Sequence, residues 1–264
     1  MSYQDIGQAP GAVVFLHGFA GHSGVWDLQL SALASKARML APDWPGHGAS
    51  AWIPSTLDDL AQDTAELMRA CGVSRAVIVA SSMGALVALR LQELFPECAQ
   101  ALVLAGGLPR FTFCPDFPAG LDSRKIRKLA GQFDRDVGGV LAMFFRSLFT
   151  LQERSACGYD CIRDILRAEP LPRKEALLAF LDLLEVMDLR DSLRSCFCPV
   201  HFLLGESDPL CPLAVHSALR ELVPGAQFRI YPDCGHFPFL TRSGEVNAVL
   251  EEVLSGFANG SGYV

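Results

Sequence analysis

The sequence predicts an α/β fold, a mainly parallel central sheet flanked by helices, with a helical segment inserted between the two halves of the sheet. Three observations predict it. Short apolar runs alternate with longer amphipathic stretches up to residue 109, and the alternation resumes after residue 190. Between residues 110 and 189 the periodicity is helical throughout, as in VLAMFFRSLF and ALLAFLDLLEVMDL, and no strand pattern interrupts it. Half of the 264 residues are hydrophobic and only 19% are charged, enough to bury one large core and too apolar for a mainly disordered chain.

The elements follow in order. Residues 12–16 (AVVFL) form a buried-strand candidate that ends at His17-Gly18. The segment before it is short for a leading β-hairpin, so an abbreviated first sheet edge is expected. A helix is predicted over 25–37 and a short strand over 38–41. A second helix follows over 57–71, with Ser55 or Thr56 able to cap its N-terminus. Residues 75–80 (RAVIVA) are a strongly apolar strand, and Ser81-Ser82-Met83-Gly84 opens a helix that runs to Phe95. Residues 101–105 (ALVLA) form a further strand, broken by Gly106-Gly107. Beyond the helical stretch come a strand at 200–204, a helix near 212–222, a strand at 227–231 and a last helix over 244–256. The expected division is therefore a core of residues 1–109 and 190–264 with a lid of residues 110–189.

Composition narrows the function classes. A net charge of −7 and a pI near 5.4 argue against a nucleic-acid partner for the chain as a whole. The nine cysteines are odd in number and include no CxxC, so small buried hydrophobes are expected, not a metal site or a disulfide framework. The opening residues MSYQDIGQAP have neither the basic nor the apolar region of a signal peptide, and no apolar run is long enough to span a bilayer. A reduced, cytoplasmic protein without membrane attachment is the expectation, with no metal and no cofactor implied. Oligomeric state is not readable.

The chemistry is concentrated at strand ends. Ser82 stands between a strand and a helix, with small residues two before (Ala80) and two after (Gly84). A tight strand-to-helix turn needs small flanks, and for Ser81 the flanks would be the bulky Val79 and Met83. Ser82 is therefore the candidate nucleophile. A serine hydroxyl needs a base to take its proton. His236, in the Gly235-His236-Phe237 turn after the last strand, is the candidate base, and Asp208, in GESDPLCP, the acid that orients it. Glu206 and Asp233 are the rival acids; Glu206 lies closer to its strand, and Asp233 is too near His236 in sequence to reach behind the ring. The HGFAG turn after the first strand offers the Phe19 N–H, which with that of Met83 would form an oxyanion hole. His17 is expected to tie that turn down, and DWPGHGAS to be loop architecture near the site.

HGFAG, DWPGHGAS, the Ser82 turn, GESDPLCP and CGHFPF occur in the order seen in the α/β-hydrolase superfamily, which the chain resembles over nearly its whole length. The resemblance implies the α/β-hydrolase fold and a Ser82–Asp208–His236 triad. Ala80 departs from the usual glycine. Within the superfamily LPRFTF, FRSLFTLQ and LEVMDLRDSL resemble the BioH-type pimeloyl-acyl carrier protein methyl ester esterases of biotin synthesis. That resemblance implies hydrolysis of a methyl ester on an acyl chain carried by acyl carrier protein. Between residues 121 and 167 nine basic residues face six acidic ones, a basic lid in an acidic chain. Arg163 and Arg167, four apart on one helical face, are the expected docking cations. Phe111, Phe144, Phe145 and Phe149 are the expected lining of an acyl tunnel, although helical spacing also suits lid packing. The alternatives are a same-fold lyase resembling the menaquinone-pathway SHCHC synthase, a general short-chain carboxylesterase, or a binding module without catalysis. Dehalogenase and epoxide-hydrolase chemistry would need a carboxylate where Ser82 stands.

Overall fold

The computed structural model describes residues 1–156, 159–166 and 170–258. Six strands form one sheet in the order β2-β1-β3-β4-β5-β6: β1 (Tyr3–Leu16), β2 (Ala37–Pro42), β3 (Ala76–Ser81), β4 (Ala99–Ala105), β5 (Val200–Gly205) and β6 (Gln227–Tyr231). Within this sheet, among the described residues, only the β1–β2 pair is antiparallel. β3 (AVIVAS) is buried at every position, as a central strand covered on both faces must be.

The first edge is longer than the sequence suggested. β1 reaches back to Tyr3 and pairs with β2 through both of its halves, with a register shift between Ile6 and Pro10. Gly7 takes φ +87 there, and a Cβ on it would lie 2.1 Å from the Ala37 carbonyl oxygen. Residues 3–10 alternate between exposed and half-buried, so they form no apolar run to mark them as strand.

Helices cover the sheet: α1 (Asp27–Leu33), α2 (Leu57–Ala70) and α3 (Gly84–Leu94) come from the first half. The predicted 25–37 helix is shorter because a 3-10 turn (Ser23–Trp26) precedes α1 and the Lys36 N–H closes onto the Leu33 carbonyl. Thr56 is the cap of α2, in a reciprocal capping box with Asp59.

Between β4 and residue 190 the described segments are mainly helical: α4 (Ser123–Ala130), α5 (Val137–Ser147), α6 (Leu151–Ser155), α7 (Tyr159–Leu166) and α8 (Lys174–Val186). Two isolated bridges, Thr112–Leu121 and Cys114–Phe117, are the strand-like contacts described there. α8 rests on the DWPGHGAS loop: Phe180 stacks on His47 at 4.8 Å, and the Arg173 N–H donates to the Gly46 carbonyl at 2.8 Å. α9 (Arg190–Arg194), α10 (Val215–Leu222), α11 (Pro238–Thr241) and α12 (Ser243–Ala258) complete the chain. α11, directly after His236, had no periodicity to announce it. Among the described residues no helix is long and apolar enough to cross a membrane.

Candidate active site

Every loop with a candidate catalytic residue leaves the C-terminal end of a parallel strand, the edge where such sheets place their sites. β3 runs through Ser81 into Ser82, which adopts φ +51, a strained conformation for a residue with a side chain. That strain falls on Ser82 and not on Ser81, whose hydroxyl is buried without a hydrogen-bond partner. Gly84 shows why small flanks are needed: a Cβ on it would sit 2.5 Å from the Leu16 carbonyl oxygen and 2.9 Å from that of His17. Ala80, fully buried, is accommodated without a glycine.

The Phe19 and Met83 N–H groups have no acceptor among the described residues. The turn that presents Phe19 is fixed by His17. Its Nδ1 lies 2.8 Å from the Gly18 carbonyl oxygen, its Nε2 accepts the Trp44 N–H at 3.1 Å, and its own carbonyl accepts the Trp44 indole at 2.9 Å. Burial lowers the His17 pKa to about 3 and holds the ring neutral, as a structural histidine requires. Asp43 performs the same service next door, accepting the N–H groups of Ser23 at 2.6 Å and Ala49 at 3.1 Å.

Asp208 and His236 meet at the ends of β5 and β6. Asp208 Oδ2 lies 2.7 Å from His236 Nδ1, and both side chains are buried. Asp208 Oδ1 accepts the N–H groups of Leu210 at 2.8 Å and Cys211 at 3.1 Å, so the carboxylate is fixed at both oxygens. The hydrogen bond at Nδ1 leaves Nε2 as the basic nitrogen, and Nε2 is buried with no hydrogen-bond partner. Neither rival acid is hydrogen-bonded to the ring among the described residues: both are exposed, and Glu206 accepts the Asp233 N–H at 3.4 Å. Asp208, Cys211 and His236 place ligand-type atoms within 4.8 Å of one another. Burial pushes the Cys211 thiol well above its usual range, and it donates to the Gly106 carbonyl at 2.8 Å. Each of the three takes part in a hydrogen bond of the site.

Ser82 opens into a cavity of about 620 Å³, lined also by Phe19, Phe111, Phe144, Leu181 and Leu184. Two of the four expected tunnel phenylalanines, Phe111 and Phe144, are in its wall. Phe145 and Phe149 are not: both are buried, at 6.3 and 5.3 Å from the Phe237 ring, packing the inserted segment against the turn after His236. α5 can present only one face to the cavity, so adjacent Phe144 and Phe145 diverge.

The structure describes one of the two expected docking cations. Arg163 is paired with Asp160 at 2.6 Å and Asp164 at 3.0 Å and does not line the cavity. Arg167 lies outside the described residues. The cations in the cavity wall are Lys125, Lys128 and Arg135, all exposed and in no salt bridge among the described residues. Their neighbours are already spent, Arg124 on Asp122 and Arg127 on Glu185. Charge counting found the basic segment without showing which cations are unpaired among the described residues.

The chain is similar to known proteins over most of its length. A family model described as "Alpha/beta hydrolase family" matches residues 13–249. A protein of Nitrosomonas europaea named pimeloyl-[acyl-carrier protein] methyl ester esterase is 34% identical over 230 residues, covering 87% of this chain and 90% of that protein. One of the same name from Xanthomonas oryzae is 33% identical over 251 residues, with 95% and 97% covered. Among solved structures, a thermophilic esterase from Thermogutta terrifontis is 25% identical with a TM-score of 0.83, covering 96% of this chain and 92% of that one. A bromoperoxidase from Bacillus anthracis shares the fold at a TM-score of 0.86 and 22% identity, with 96% and 94% covered.

Proposed function

The chain belongs to the alpha/beta hydrolase family and is a carboxylic ester hydrolase, and we propose that it acts through Ser82 on the methyl ester of a pimeloyl chain held by acyl carrier protein, in biotin synthesis. The observation that carries the chemistry is the buried Asp208–His236 hydrogen bond beside a cavity that contains Ser82 in a strained turn. The names of the relatives support the substrate.

In this reading His236 Nε2 takes the Ser82 proton as the hydroxyl oxygen attacks the ester carbonyl. Asp208 fixes the imidazole tautomer and stabilises the imidazolium that forms. The Phe19 and Met83 N–H groups receive the oxyanion. The imidazolium returns the proton to the departing methoxide, and methanol leaves an acyl-Ser82. Water, deprotonated by His236, attacks that ester; Ser82 recovers its proton and the carboxylate is released. No step calls on a metal or an organic cofactor.

Residues 110–189 act as the lid on a core of 1–109 and 190–264. Phe111 and Phe144 hold the acyl chain in the cavity. Lys125, Lys128 and Arg135 at its rim supply the positive charge that meets an acidic carrier, in place of the paired Arg163. The test is incubation of pimeloyl-acyl carrier protein methyl ester with wild type and Ser82→Ala, read by mass spectrometry. Loss of the methyl group with wild type alone supports the proposal. Ser82-dependent cleavage of a short nitrophenyl ester without turnover of the carrier-bound ester would keep the hydrolase and reject the substrate.

A further inference from the structure

A carboxylate is costly to bury unless its oxygens are hydrogen-bonded. Glu153, in α6, is 5% exposed and enters no salt bridge among the described residues. Its oxygens are satisfied by three donors. Oε2 accepts the Thr150 N–H at 2.8 Å and the Gly235 N–H at 3.1 Å, and Oε1 accepts the Thr241 hydroxyl at 2.7 Å. The Thr150 contact, with the return bond from the Glu153 N–H to Thr150 Oγ1 at 3.1 Å, is an ordinary capping box for a five-residue helix. The other two are not needed for capping. They reach 82 and 88 residues along the chain, to the residue before His236 and to the end of α11 after it.

The same stretch grips the turn a second time. The Leu148 carbonyl accepts the His236 N–H at 2.9 Å. Gly235 is pressed so closely that a Cβ on it would lie 2.2 Å from the Leu148 carbonyl oxygen and 3.0 Å from Glu153 Oε2. On the opposite side a Cβ on Gly205, at the end of β5, would lie 1.9 Å from the Gly235 carbonyl oxygen. The turn from Asp233, itself at φ +51, to His236 is thus pinched between β5 and the α5–α6 junction.

We infer that Glu153 is a positioning residue for the base: it fixes the backbone on both sides of His236, so that the inserted helices and the sheet together aim the imidazole. The role rests on the reading of Ser82, Asp208 and His236 as the triad. Asp208 holds the ring at Nδ1 only, and the ring still needs its backbone anchored for Nε2 to reach the serine hydroxyl. Glutamine can replace the carboxylate here, because its carbonyl oxygen can accept from Thr150 and Gly235 while its amide donates to Thr241 Oγ1. Alanine removes all three contacts.

The test compares wild type, Glu153→Ala, Glu153→Gln and Ser82→Ala on a short nitrophenyl ester. Rates of the three proteins that keep Ser82 are expressed per active site after end-point labelling with a serine-directed fluorophosphonate, and that of Ser82→Ala per mole of protein. Glu153→Ala is expected to lower kcat about 10- to 100-fold with KM nearly unchanged, the scale of a base displaced by about 1 Å, and Glu153→Gln to restore most of it. If Ser82→Ala is inactive but Glu153→Ala keeps the wild-type kcat per labelled site, Glu153 only caps its helix and the inference falls. If Ser82→Ala turns over normally, the triad reading itself fails. Should Glu153→Ala not fold, Thr241→Val removes one arm of the clamp. A lowered kcat there supports the role, and an unchanged one overturns it.

Discussion

Asp208 and His236 stand in loops after successive strands, 28 residues apart in sequence, and are joined by a 2.7 Å hydrogen bond between two buried side chains. Both oxygens of Asp208 are occupied, one by His236 and the other by the Leu210 and Cys211 N–H groups. An asparagine at 208 could keep the packing but would present the imidazole with a different hydrogen-bonding partner. Asp208→Asn is expected to lower kcat by roughly 10⁴-fold, as loss of the acid does in serine-protease triads, with the melting temperature nearly unchanged. Steady-state kinetics and thermal unfolding on the same preparation check this.

Gly84 has no space for a side chain, its nearest obstacles being backbone oxygens of Leu16 and His17 that cannot rotate away. Gly84→Val is expected to leave little folded protein, because the strand ends on both sides of the Ser82 turn would have to separate. Soluble yield and circular dichroism report it. Wild-type stability would show that the turn is looser than these distances imply.

Phe144 and Phe145 are neighbours in sequence with different surroundings. Phe144 faces the cavity, and Phe145 is buried against Phe237. Phe145→Ala is expected to cost about 3–5 kcal/mol of stability, the usual range for emptying a buried aromatic site. Phe144→Ala is expected to change KM for long acyl esters more than it changes stability. Denaturant unfolding and a chain-length series of esters separate the two.

His17 and His47 are buried with pKa values lowered to about 3, first by desolvation. In the unfolded chain both titrate near the ordinary value of 6.5. The native state therefore stays neutral while the unfolded state gains protons as the pH falls below that value. Stability is fully present above about pH 6.5 and is lost toward pH 3, by up to about 1.4 kcal/mol per pH unit for each histidine. Melting temperatures measured from pH 7.5 to pH 4.5 should fall steadily. A flat profile would mean that the two rings are already protonated in the folded protein or exposed to water.

Much of the fold and the core of the site was legible because the signals were local. RAVIVA is apolar enough to identify a central strand, and the sizes of Ala80 and Gly84 against Val79 and Met83 distinguished Ser82 from Ser81. What escaped depended on tertiary contacts. The N-terminal half of β1 alternates weakly at a sheet edge, so nothing in its composition separates it from a loop. Arg163 pairs with Asp160 and Asp164 on its own helix, which a charge count over the whole segment does not resolve, and the position of Lys128 in the cavity wall follows from how helices pack. Glu153 did carry a signal, the Thr150-x-x-Glu153 capping pattern, but capping alone gives no hint that its carboxylate also reaches Gly235 and Thr241.

The rim of the cavity gives a charge test. Lys125→Glu with Lys128→Glu should raise KM for the carrier-bound ester and raise it more than Arg163→Glu does, because Arg163 is already paired. A short neutral ester should be cleaved normally by both variants. Equal losses on the two substrates would remove the rim from carrier recognition.

The central claim is that an acyl group passes through Ser82, and the most direct measurement is to trap it. Wild type mixed with an excess of a slowly deacylating ester, acid-quenched within milliseconds and digested, should yield the Ser82 peptide with the mass of the acyl group added. Ser82→Ala should yield none. Turnover of the ester without any adduct on that peptide, or an adduct that persists in Ser82→Ala, would contradict the account.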